Sequence, residues 1–214
     1  MLRKFGFGQK EESLIKRLNK PAKIQKFIDE SIEYDPVRED RSVLDVIRDQ
    51  KAECYNGALF AYTCLKYHGY DTSLIELIAR EDEEHILAVY KINGSFGSIA
   101  QSKFQGLKSR HPMYLSVRDL AVSYMEFYIS FDGRYSLASY SDWFDLAKYK
   151  QGFLNDSGVV TKIAGDIRNS KHFDLTNSKL PHFLATPKRF WSEVEVIPPN
   201  TKIPPYLKFK RRGK

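Results

Sequence analysis

The chain has 214 residues and a formal net charge of +7, with 42% hydrophobic and 14% aromatic residues. That apolar share excludes a mainly disordered polymer and suffices for one large domain, or a domain with an extension. Lys208, Lys210, Arg211, Arg212 and Lys214 supply five of the positive charges, so the excess is largely a tail rather than a basic face.

In chain order, residues 1–19 form a charged segment in which Leu14, Ile15 and Leu18 are spaced for a short helix. Pro21 suits a first helical turn, and Ile24, Phe27, Ile28 and Ile32 continue at helical spacing until Tyr34-Asp-Pro36. Ser42 and Asp45 have the spacing of a capping box ahead of Val43, Leu44, Val46 and Ile47. A third helix starts near Glu53. Its apolar residues (Tyr55, Ala58, Leu59, Phe60, Tyr62, Leu65) cover so much of its surface that burial on most sides is expected, and Gly69 is placed to stop it.

The period then changes. Ser73–Ala79 is rich in Leu and Ile, residues 80–84 form a charged turn, and His85–Ile92 reads as a central strand with two apolar faces. Asn93-Gly94 is the strongest short hairpin signal and returns the chain along Ser95–Ser102. Ser116 with Asp119 caps a helix expected to run to Tyr128. Ser141–Ala147 reads as helical and Phe190–Ile197 as a strand, before Pro198-Pro199 and Pro204-Pro205 impose an extended exit. The expected fold is α+β, a central helix on a small antiparallel sheet. The division is a charged segment (1–19), a core (20–133), an extension (134–207) and a basic tail (208–214).

The longest uncharged apolar stretch, Cys54–Leu65, is too short to span a bilayer, and the first ten residues turn polar at once. A soluble cytoplasmic protein without membrane contact is expected. Cys54 and Cys64 on one helix lie about 15 Å apart, beyond disulfide reach. Two free thiols suit a reducing compartment.

Cys54 falls in the first turn of its helix, where unsatisfied N–H groups and the positive end of the dipole favour a thiolate. Glu53 beside it acts against that, so a base is needed. His85 is the candidate, since it opens the strand expected to pack against the Cys54 helix. With a two-residue turn at Asn93-Gly94, Ile92 pairs with Ser95 and His85 falls opposite Ser102. His85, Leu87 and Val89 then share a face with Ser98, Ala100 and Ser102. Three small residues there leave room for the helix end and a substrate chain, and Ser102 is the group able to orient the imidazole. No spacing typical of zinc ligands occurs, and no cofactor is expected. For nucleic acid the tail is the main contact on offer, with Lys103, Lys108 and Arg110 as the best second cluster; that reading is not favoured.

The run Ser42…Lys51-Ala-Glu-Cys54-Tyr-Asn-Gly-Ala58, a helix ending at Gly69, Leu74-Ile-Glu-Leu-Ile, His85-Ile-Leu-Ala-Val-Tyr and Phe96 resembles the transglutaminase-like superfamily. The resemblance covers roughly residues 22–104, with weaker support to about 130. It implies a papain-like architecture, Cys54 as nucleophile and His85 as base in acyl transfer or hydrolysis of a peptide or protein amide. The family's aspartate falls near Ala100, which cannot serve; Asp132, Asp142 and Asp145 are the later carboxylates able to replace it. Gln50 stands where an amide could bind an oxyanion. The competing reading is a binding or scaffold module that keeps the fold without the activity.

Overall fold

A computed structural model describes residues 7–37, 40–80, 82–130 and 134–176. The first half is helical. Helix α1 (Gln9–Arg17) and α2 (Pro21–Ser31, with Pro21 in its first turn) lead into a two-residue strand β1 (Glu33–Tyr34). Helix α3 (Val43–Asp49) carries the capping box: Ser42 Oγ accepts from Asp45 N (3.2 Å) and Asp45 Oδ2 accepts from Ser42 N (3.1 Å). Strand β2 (Lys51–Ala52) runs parallel to β1 and delivers the chain to α4 (Cys54–Tyr67). Every residue of α4 from Tyr55 to Leu65 is buried, as a helix apolar on most sides requires.

The rest builds one antiparallel sheet from β3 (Asp71–Ala79), β4 (His85–Ile92), β5 (Ser95–Ile99), β6 (Arg110–Tyr114), β7 (Leu137–Ser141) and β8 (His172–Asp174). The spatial order is β6-β5-β4-β3-β7-β8. Helix α5 (Val117–Val122) follows β6, and α6 (Ser157–Arg168) precedes β8. Asn93 (φ 50°) and Gly94 (φ 84°) make the tight turn between β4 and β5, with Ile92 opposite Ser95 and Ala88 opposite Ile99.

Strand β4 divides two cores. Ile86, Ala88 and Tyr90 join α2, α4 and α6 on one face; Leu87 and Val89 join Ile75, Leu77, Ala100, Leu120, Tyr124 and Tyr128 on the other. No described helix is long and apolar enough to cross a membrane.

Several expectations change. Leu14, Ile15 and Leu18 do sit on or beside a short helix, and that helix is docked: Ile15 is wholly buried and its carbonyl meets His68 Nε2 at 2.8 Å. The helix expected from residue 117 to Tyr128 stops at Val122. Arg110 Nη2 takes the Ser123 carbonyl (3.2 Å) and Nε takes its hydroxyl (3.1 Å), and a tight turn at Met125–Phe127 follows. The helix expected over Ser141–Ala147 is absent: Ser141 ends β7, which fills the open edge of β3. Residues 134–176, assigned from sequence to the extension, thus supply β7, β8 and α6 to the same sheet and its helical layer. The strand expected at Phe190–Ile197 and the basic tail lie outside the described residues.

Candidate functional site

Cys54 owes its position to the short β1–β2 pair and to Glu53. Gln50 adopts a left-handed conformation (φ 51°) to end α3, and its carbonyl accepts from Glu33 N. Gln50 is exposed and borders neither of the cavities described below. Glu53 then caps α4 with both carboxylate oxygens, accepting from Tyr55 N (2.7 Å) and Asn56 N (2.8 Å). Cys54 is therefore the first residue of α4 and remains partly exposed, whereas Cys64, three turns on, is sealed in the core.

Burial pushes both thiols well above their ordinary range, and at Cys54 the Glu53 carboxylate adds to this by its charge and as a hydrogen-bond acceptor. The Ile86 N–H acts the other way. It is free to do so because Glu76 and Ile86 are opposite one another while Glu76 N turns outward to Ser141 Oγ (2.9 Å), and because β5 has ended at Ile99. Cys54 is thus a protonated thiol at neutral pH.

His85 is 3% exposed, and its Nε2 lies 2.8 Å from the Leu107 carbonyl. A carbonyl only accepts, so Nε2 carries the proton and the lone pair resides on Nδ1. Burial lowers the imidazole to about 4, with nearby Arg110 contributing and the Leu107 bond opposing; the ring is neutral at pH 7.

The sequence places α4 on the His85 face. The structure corrects this: α4 packs on the opposite face, against Ile86 and Ala88, while His85 faces Tyr124 (ring centroids 6.5 Å apart). Cys54 and His85 approach one another only at the start of β4. There both border a cavity of about 50 Å³, together with Ser102, Asp82, Leu107 and Tyr128. Ser102 does not take the orienting role expected of it. Its hydroxyl accepts from Phe104 N (3.0 Å), and the imidazole is held by Leu107 O instead. Ala100 lies in the apolar core. Asp145 is committed to Tyr62 (3.0 Å), and Asp142 caps Trp143 N (2.8 Å); neither borders the cavity, and Asp132 lies outside the described residues. The carboxylates that do border it are the consecutive Asp82, Glu83 and Glu84; of these Asp82 is raised by burial and accepts from Ser136 Oγ (2.7 Å).

Two cavity groups escape a reading of the sequence. Leu107 acts through its backbone, which residue identity does not advertise. Tyr128 sits among aromatics that read as one face of a helix. It is 2% exposed, and among the described residues its hydroxyl has no hydrogen-bond partner, an arrangement that costs about 1–3 kcal/mol.

A second cavity of about 250 Å³ opens on the other side of Cys54. Glu53, Glu76, Glu83 and Glu84 line it, with Arg168. Glu76 is raised by burial and pairs with His172 Nε2 (3.1 Å). The three basic residues singled out for a nucleic-acid face are engaged within the fold. Lys103 meets Glu83 (3.2 Å), Lys108 meets Asp29 (2.8 Å), and Arg110 lies over the Tyr124 ring (3.9 Å). No protein-family model matches the chain, and no curated protein matches it in sequence.

Proposed function

We propose that the chain is a thiol-dependent acyl-transfer enzyme of transglutaminase-like type that hydrolyses or transfers an amide through Cys54 and His85. The observation that carries this reading is the shared cavity: a partly exposed thiol at a helix N-terminus and a neutral imidazole border the same small space. A neutral pair favours general-base attack over a standing ion pair. The Cys54 proton moves to His85 Nδ1 as the sulfur attacks the carbonyl carbon. The proton then passes to the departing amine, and water or a second amine resolves the thioester. The Leu107 carbonyl fixes the tautomer that leaves Nδ1 basic.

A second reading, an inactive binding module, draws on Glu53, whose charge opposes the thiolate, and on Ala100 where the resemblance calls for an aspartate.

Reaction with p-nitrophenyl acetate followed by mass mapping separates the two. The enzyme reading expects a hydroxylamine-labile acyl group on Cys54 and none on Cys64, with acylation ~10²–10⁴-fold slower in His85→Ala. Acylation indifferent to His85, or absent from Cys54, would leave the inactive module.

A further inference from the structure

The unpartnered hydroxyl of Tyr128 has no role in the mechanism so far. Phenylalanine would fill the same apolar site without stranding a polar atom, and Phe127 stands next in the chain. A buried O–H with no partner among the described residues calls for one supplied by a water or by a bound group. The surroundings define it. Tyr128 borders the cavity of about 50 Å³ that Cys54 and His85 also border. The space takes a group of about the size of a water molecule or a carbonyl oxygen. Burial holds the phenol protonated, so what it presents is a donor.

We propose that Tyr128 is a catalytic residue of the thiol site, its O–H donating to the carbonyl oxygen of the acyl group as Cys54 attacks. This rests on the acyl-transfer reading. As the sulfur–carbon bond forms, the carbonyl π pair moves onto oxygen, the thiol proton goes to His85 Nδ1, and Tyr128 keeps its own proton while lending it as a hydrogen bond. When the oxyanion collapses the carbon–nitrogen bond breaks, the oxygen regains its double bond, and the His85 proton leaves with the amine. A donor set in place beforehand acts most strongly where the charge develops, in a site closed to water.

Tyr128→Phe tests this with two reagents on the same sulfur. p-Nitrophenyl acetate passes through an oxyanion; iodoacetamide displaces iodide at a saturated carbon and forms none. The proposal expects acylation of Cys54 to fall ~10²–10³-fold while alkylation changes less than about threefold and the melting temperature stays level or rises, since only a stranded hydroxyl is lost. An equal fall in both reactions would make Tyr128 a support for the thiol and overturn the proposal. So would unchanged acylation, or unchanged acylation with a lower melting temperature, which would mark a structural water as its partner. A wild-type chain that alkylates but never acylates at Cys54 overturns the acyl-transfer reading itself, and with it this role.

Discussion

The two faces of the sheet are covered by different means. On one, α2, α4 and α6 close an apolar layer over Ile86 and Ala88, tied across by the Tyr55 hydroxyl donating to the Val160 carbonyl of α6 (2.6 Å). On the other, the cover is a six-residue helix and two tight turns, and beneath it lie buried His85 and Tyr124 with half-buried Arg110 over the Tyr124 ring. Those polar groups are satisfied by carbonyls that a long helix would have consumed: Leu107 O takes His85, Gly106 O takes Arg110 (2.7 Å) and Lys108 O takes Tyr124 (2.8 Å). Irregular backbone supplies the acceptors for a buried imidazole and a guanidinium on one face; the titratable groups buried on the other are chiefly the phenols and thiol of α4 (Tyr55, Tyr62, Cys64) and the Glu76 carboxylate.

This contrast can be broken from either side. The largest change in stability is expected on the helical face, where Phe60→Ala removes a fully buried ring from α4. A loss of about 3–5 kcal/mol should appear in urea unfolding. A loss below 1 kcal/mol would mean that the helical layer is not the principal core.

The next effect belongs to the opposite face and depends on pH. His85 falls from 6.5 to about 4 on folding, so the unfolded chain binds the extra proton. Its contribution is fully present above pH 6.5 and is lost as pH falls toward 4, a span of 2.5 units worth roughly 3 kcal/mol. The urea midpoint should drop between pH 7.5 and 4.5, and His85→Asn should flatten that slope. Equal slopes would show the imidazole to be solvated.

Much of the fold was legible because its signals are local. The Ser42–Asp45 capping box, the all-round apolar character of α4 and the Asn93-Gly94 turn each specify structure within a few residues, and each formed where expected. Alternation along β4 correctly sorted His85, Leu87 and Val89 from Ile86, Ala88 and Tyr90. It could not say which set would meet α4, because both are apolar and the choice depends on how the connection from Tyr67 to Asp71 crosses the sheet end. The early stop of α5 was hidden for a related reason: it depends on Arg110 capturing Ser123, a contact between separate elements. Strand β7, Leu-Ala-Ser-Tyr-Ser, has little intrinsic strand character and is extended because β3 needs a neighbour. At the site, Cys54 and His85 were visible by residue type, while Leu107 contributes only a carbonyl and Tyr128 only its lack of a partner.

Two smaller effects sharpen the comparison. Glu53→Gln removes the charge that opposes a Cys54 thiolate while keeping one capping oxygen. Iodoacetamide should label Cys54 roughly 3–10-fold faster at pH 7, one unit of acidity being tenfold, with Cys64 unaffected; an unchanged rate would assign the suppressed acidity to burial alone. Last, Gly94→Ala strains a left-handed position (φ 84°) on an exposed turn. A cost of about 1–2 kcal/mol in thermal melts, with no change in thiol chemistry, would keep the hairpin tip separate from the site.

The placement of β7 beside β3 also sets a timetable for biosynthesis. A ribosome delivers Leu137 about 60 residues after Ala79, a delay of roughly 3–12 s at ordinary elongation rates. During that interval β3 can pair only with β4, and its other margin is bare to neighbouring nascent chains. Asp82, on the cavity wall, waits just as long for the Ser136 hydroxyl. The pocket is thus completed late in synthesis, and reagents that probe its thiol should find it unfinished in chains arrested before β7 emerges.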